Sequence, residues 1–176
     1  GPQAGAAIGM TPAGDFMVIW GYTGPIVGQR YSSTGTAVGG EFQINTYTTS
    51  AQEDPSVAAR ANSFVVVWDS LASDGDSSIS SVQGQRYASG GAPQGGQFQV
   101  NAYTPTAQEF PFVRADGDGD FVVAWESLGQ DGSSRGVFGR RFSSVGSAQG
   151  GEFQVNTFTA DSQRLQSLGA DADGSF

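Results

Sequence analysis

Three five-residue runs dominate the hydrophobic pattern: Phe16-Met17-Val18-Ile19-Trp20, Phe64-Val65-Val66-Val67-Trp68 and Phe121-Val122-Val123-Ala124-Trp125. In a two-residue alternation Phe64, Val66 and Trp68 fall on one face, and Val65 and Val67 on the other. A strand with one wet face would alternate apolar with polar residues. A strand apolar on both faces has to be covered on both. The pattern therefore predicts at least three strands, each lying between two layers.

The runs sit inside longer repeats. Gly28-Gln29-Arg30-Tyr31 returns as Gly84-Gln85-Arg86-Tyr87 and Gly139-Arg140-Arg141-Phe142. Gly39-Gly40-Glu41-Phe42-Gln43-Ile44-Asn45 returns as Gly95-Gly96-Gln97-Phe98-Gln99-Val100-Asn101 and Gly150-Gly151-Glu152-Phe153-Gln154-Val155-Asn156. Arg30, Arg86 and Arg141 stand 56 and 55 residues apart. Self-similarity at a fixed period marks a repeat architecture. Taken in order, residues 1–5 are a lead-in, 6–55 repeat one, 56–111 repeat two, 112–166 repeat three, and 167–176 the start of a fourth.

Each repeat offers four short β-rich segments bounded by Gly, Ser, Asp or Pro. In the second these are Ser56–Arg60, Ser63–Ser70, Ser81–Ala88 and Gly96–Tyr103. The connections are short enough for antiparallel hairpins, and no segment carries helical periodicity over three turns. The loop after the Trp strand varies: long and Asp/Ser-rich at Leu71–Ser80 and Leu128–Arg135, short at Gly21–Pro25. Such a variable loop on a constant frame is either a binding element or a solvated tip. Four antiparallel strands per unit predict an all-β fold built of β-propeller blades. A β-trefoil and an open stack of small sheets are the alternatives. Three blades do not close a ring, so an apolar blade face is expected bare at each end.

Composition narrows the chemistry. The 176 residues include 27 Gly and carry a net charge of −9, which disfavours phosphate tracking and hence nucleic-acid binding. No apolar run is long enough for a membrane span. All eight basic residues are Arg, with no Lys, His or Cys. That excludes disulfides, ordinary zinc, copper or haem sites and a Ser-His-Asp triad, leaving oxygen ligands that suit Ca²⁺ or Mg²⁺. The chain opens Gly1-Pro2, as a tag-removing protease leaves it, and stops at Phe176 inside a repeat. It reads as an excised piece of something longer.

Asp116, Asp118 and Asp120 are spaced two apart, so a tight loop can aim their carboxylates at one hard cation. The sixth position is Phe121, which excludes an EF-hand, and an acidic Gly-rich turn is the plainer reading. Asp74 and Asp76 form a weaker cation candidate. Arg30, Arg86 and Arg141 begin near the apolar layer, following Ile26, Val82 and Val137, so each must be paired or reach outward. One copy per repeat suits a structural arm to a neighbouring blade; a ring of Arg gripping an anion is the functional alternative. Trp20, Trp68 and Trp125 read as core, with sugar-stacking platforms the alternative. Tyr47, Tyr103 and Phe158, in Thr-rich loops, are exposed-aromatic candidates for glycan contact. Glu109 and Glu126 are the carboxylates weighed for glycoside hydrolysis, but nothing in the sequence marks either as buried beside a partner.

Phe64–Trp68, the Asp-Gly-Ser loop, Gly84–Tyr87 and Gly150–Thr157 resemble repeats found in tandem in large secreted bacterial proteins. These are propeller-like and distantly similar to the calcium-binding repeats of the integrin α-chain (FG-GAP and VCBS types). The resemblance covers about Ala6 to Phe176. It implies Ca²⁺ on an Asp-rich hairpin leading into the buried strand. Asp116 to Asp120 stand in that place, and Asp171 and Asp173 match it in part. It further implies an extracellular or cell-surface bacterial setting.

These readings lead to a non-catalytic adhesion or ligand-binding scaffold, stiffened by Ca²⁺. Its partners are expected to be itself or the rest of a longer chain, with a glycan or cell-surface ligand. A lectin-like propeller completed by oligomerisation and a fragment of a secreted hydrolase are the alternatives.

Overall fold

A computed structural model of the chain describes residues 5–21, 24–60, 62–72, 79–171, 173, 175 and 176. It contains twelve strands in three separate four-stranded antiparallel sheets, each taken consecutively from the chain. The first holds β1 (Ala7–Met10), β2 (Phe16–Trp20), β3 (Val27–Tyr31) and β4 (Ala37–Gln43). The second holds β5 (Gln52–Arg60), β6 (Ser63–Leu71), β7 (Ser80–Ala88) and β8 (Phe98–Gln99). The third holds β9 (Gln108–Ala115), β10 (Phe121–Leu128), β11 (Arg135–Phe142) and β12 (Phe153–Gln154). Three up-and-down sheets are blades of a propeller, not the single closed body of a trefoil.

The apolar runs are the second strands, and they are covered on both faces where a neighbour exists. Phe64, Val66 and Trp68 pack with Met17, Ile19, Ile26 and Ile44 of the first sheet. Val65 and Val67, on the opposite face, pack with Phe121, Val123 and Trp125 of the third. Each sheet thus turns its Phe-Val-Trp face to the sheet before it and its other face to the sheet after. On the third sheet's following face the C-terminal Ala170 and Phe176 lie beside Val122 and Arg141, and Val122 and Ala124 are only 5% and 3% exposed. One end of the stack is therefore closed over, where the sequence predicts it bare. The first sheet has nothing before it: Phe16, Val18 and Trp20 are half-buried, and Ile8 and Met10 are each 58% exposed.

Trp68 and Trp125 are fully buried, and each indole N–H donates to a buried Gln, Gln52 and Gln108, at 2.9 Å. Trp20 departs from the expected core position because no preceding sheet covers it. The first strands start earlier than the repeat boundaries at 56 and 112. Pairing continues through a bulge at Asp54-Pro55 and at Phe110-Pro111 back to Gln52 and Gln108. Glycine is required in Gly84 and Gly139 by close approach. A Cβ there would lie 2.7 Å and 2.8 Å from the Phe98 and Phe153 rings, which lie across the strand.

The sheets are tied by polar links that recur. Arg30 Nη1 donates to the Ser89 carbonyl at 2.8 Å and Arg86 Nη1 to the Ser144 carbonyl at 2.7 Å. Gln97 accepts from the Thr46 N–H and Glu152 from the Ala102 N–H. Arg141, with no fourth sheet to reach, is exposed and lies over the Phe176 ring, 5.8 Å from its centroid.

Candidate functional site

The first strands of the three sheets run along one edge of the stack, with the 164–166 segment in the place of a fourth. Between them lies a cavity of about 460 Å³, bounded by Gly5–Ile8, Asp54–Val57, Phe110–Phe112, Arg114, Glu126 and Arg164–Gln166. Propeller inner strands face the central channel, so this cavity lies on the channel side.

Its polar groups arise from two features of the repeat. The first is the bulge. Gly5, Asp54 and Phe110 occupy equivalent positions with φ of 64°, 47° and 54°. A non-glycine residue there costs about 1–2 kcal/mol, and that cost is carried where Asp54 lines the cavity. The second is the residue after the Trp of each second strand, which is Gly21, Asp69 or Glu126. Asp69 and Glu126 are 3% and 2% exposed. Each accepts a backbone N–H from the following unit: Phe110, in the third sheet's bulge, to Asp69, and Leu165, in the C-terminal segment, to Glu126 Oε1 at 3.0 Å.

Strand register sets a second acid opposite each of these. Glu53 pairs with Asp69, and Glu109 with Glu126. Like charges directly opposite repel, and the two pairs are relieved differently. In the third sheet Arg135 lies between the acids, its Nη1 2.6 Å from Glu109 Oε2 and 3.8 Å from Glu126 Oε2. The residue equivalent to Arg135 in the second sheet is Ser80, a neutral group that hydrogen-bonds Gln108 and Glu109. With no cation beside it, Asp69 is pushed up to about 8 by burial and by Asp54, Glu53 and Glu109. Asp54 is pushed up as well, by burial and by Glu109. Near neutral pH Asp69 therefore holds a proton. One oxygen of each buried acid, Asp69 Oδ1 and Glu126 Oε2, has no hydrogen-bond partner.

The sequence-predicted residues lie elsewhere. Asp116, Asp118 and Asp120 form a tight turn in which Asp116 Oδ1 accepts the Asp118 N–H. Both Asp120 oxygens point to the neighbouring hairpin, accepting from the Ser144 N–H at 2.8 Å and from Gln149 at 2.9 Å. Asp171 accepts from the Asp173 and Ser175 N–H groups. Among the described residues no three acids gather to hold a cation, so none is assigned to this turn. Asp74 and Asp76 lie outside the described residues. Tyr47 donates its hydroxyl to the Ala72 carbonyl, Tyr103 is half-buried, and Phe158 is 67% exposed. None of the three lines the cavity. Glu126 and Glu109 were visible as acids, but their pairing depends on the bulge and the β9–β10 register. One signal was available: Gln52, Gln108 and Gln163 recur at the repeat period, and the first two stand where β5 and β9 begin, ahead of their bulges.

No family model matches the chain, and no curated protein matches it. Among solved structures, a GH43 endo-arabinanase from Bacillus licheniformis aligns over 82% of this chain and 55% of its own, at 13% identity and a TM-score of 0.49. A second GH43 protein from the same organism aligns over 89% and 42%, at 11% identity and a TM-score of 0.34. The chain thus spans about half the length of either. The expectation of a non-catalytic scaffold is corrected here, and the view that the chain is no enzyme is left unsupported. Two pairs of facing acids that the sequence reading could not find are present, Glu53 with Asp69 and Glu109 with Glu126, each with one buried member. The β-propeller type of blade stack rests on the three consecutive four-stranded antiparallel sheets themselves.

Proposed function

We propose that the chain is a segment of a glycoside hydrolase whose acid–base groups line the channel-side cavity. The observation that carries this reading is that Asp54 and Glu126, from neighbouring sheets, border the same cavity while their surroundings differ. Asp54 is pushed toward its protonated form, as a proton donor to a glycosidic oxygen requires. Glu126 is fixed on one oxygen by the Leu165 N–H, and its Oε2 is free of hydrogen bonds. That arrangement suits a carboxylate that takes a proton from an attacking water.

Asp69 sits behind Asp54 and carries a proton of its own, which limits the negative charge around the donor. Arg135 pairs with Glu109 at 2.6 Å. Two carboxylates are sufficient catalytic groups for cleaving a glycosidic bond. The test is release of reducing ends from a panel of neutral polysaccharides, arabinans included. Activity that disappears in both Asp54→Asn and Glu126→Gln supports the reading. Activity that survives either change removes it.

A further inference from the structure

Phe110 is an aromatic residue that the fold leaves outside its cores. It belongs to neither apolar cluster and is 36% exposed. The sheet before it and the segment after it both stand beside it at the cavity, as Asp54–Val57 and Arg164–Gln166. Phe110 itself borders the same space.

The backbone is bent to put it there. Pairing of β9 with β10 runs as far as Phe112 and Ala124, breaks, and resumes at Glu109 and Glu126. Phe110 lies in that break with a φ of 54°. For a bulky residue such a φ is an outlier. The first sheet meets the same position with Gly5, at a φ of 64°, and glycine takes that conformation without steric cost. The bulge alone therefore gives no reason for a ring. The second sheet's counterpart, Asp54, is also not glycine and also borders the cavity. In both sheets the strained position delivers a side chain to the same space.

The ring is held as well as delivered. The Arg135 guanidinium carbon stands 5.7 Å from the ring centroid, within cation–π range. Arg135 is itself tied to Glu109, 2.6 Å away, and the Phe110 N–H is bonded to the buried Asp69. Backbone and ring are thus both fixed, in a cavity that Asp54 and Glu126 also border. Small-molecule pockets combine aromatic walls with a few placed polar groups. A sugar ring fits this combination. Its C–H bonds present positive edges to the negative face of an aromatic ring, while its hydroxyls and glycosidic oxygens lie at the rim, where the acids are.

We propose that Phe110 is the platform on which a sugar ring of the substrate stacks, bringing the bond to be cleaved to Asp54 and Glu126. This rests on the glycoside-hydrolase reading and adds to it the residue that grips the sugar.

Calorimetry with the whole chain tests the platform. Neutral oligosaccharides cut from arabinan, xylan, mannan and β-glucan are titrated into wild type, Phe110→Tyr, Phe110→Leu and Phe110→Gly, with folding checked by circular dichroism. Leu keeps apolar bulk without a π face, and Gly suits the bulge as Gly5 does. The proposal expects at least one oligosaccharide to bind wild type and Phe110→Tyr alike. It expects the Leu and Gly variants to bind about tenfold more weakly, as loss of one stacking contact implies. Binding by either folded variant that equals wild type overturns the platform and leaves the hydrolase reading standing. Binding that depends on Phe110, with no turnover by wild type, supports the platform and removes the hydrolase reading. A wild-type chain that binds none of the oligosaccharides overturns both.

Discussion

Arg140 donates to the Val100 carbonyl at 3.0 Å, and that carbonyl is the repeat counterpart of Ile44, which Tyr87 reaches through its hydroxyl at 2.9 Å. In the third repeat Tyr has become Phe142, which has no hydroxyl, and Gln has become Arg140. Two changes on one strand replace one link by another to the same place. Burial pushes the Tyr87 hydroxyl up to about 12, so it stays a donor throughout the neutral range.

Removing this link should therefore be measurable and repairable. Arg140→Ala is expected to lower stability by about 1 kcal/mol, the net value of a typical hydrogen bond. Phe142→Tyr in that background is expected to recover part of it, by restoring the hydroxyl route to Val100. Urea unfolding of the two single variants and the double variant gives the coupling.

The indole–amide pairs make a second case. Gln108→Leu leaves the fully buried Trp125 N–H without its partner and is expected to cost about 1–3 kcal/mol. Trp20→Ala should cost well under the ~3–5 kcal/mol expected for truncating a fully buried Trp such as Trp68, because Trp20 is only half-buried. Thermal melts of the three variants rank them.

Much of this frame was legible in the sequence. A run such as Phe64–Trp68 is apolar at every position because both of its faces are covered, and that requirement leaves a direct mark. Gly84 and Arg86 recur because each junction needs a flat crossing for Phe98 and an arm to the next sheet. The acids left no such mark. Asp54 and Phe110 adopt a left-handed backbone with no glycine to signal it, and the bulge they form decides which acid faces which. Asp116 to Asp120 drew attention by their spacing, yet the sheet uses Asp120 to hold the next hairpin. The C-terminal segment looked like an interrupted repeat, and nothing in its composition showed that Ala170 and Phe176 would lie beside Val122 and Arg141.

Asp69 gives the chain a pH signature. Its carboxyl is about 8 in the folded protein against an ordinary 3.8. Between those values the folded state holds a proton that the unfolded state has lost. The stabilisation from this group is complete below about 4 and is lost as pH rises through about 8. The slope approaches about 1.4 kcal/mol per pH unit for one proton. Asp69→Asn should flatten that part of the stability profile and leave the variant more stable than wild type above pH 8. Melting temperatures from pH 4 to 9 show whether it does.

The close approach at Gly84 predicts a further loss. Gly84→Ala places a methyl 2.7 Å from the Phe98 ring, and overpacking of this kind typically costs about 1–3 kcal/mol. Gly40→Ala, with open space around it, should change little. Denaturant midpoints of the two variants make the comparison.

The central claim is that Asp54 and Glu126 form an acid–base pair across the channel-side cavity. The most direct measurement is the rate of reducing-end release from neutral polysaccharides by wild type, Asp54→Asn and Glu126→Gln, with folding checked by circular dichroism. The account predicts turnover by wild type and its loss in both variants while the fold is retained. Turnover that persists in either folded variant, or a folded wild-type chain that cleaves none of the panel, contradicts it.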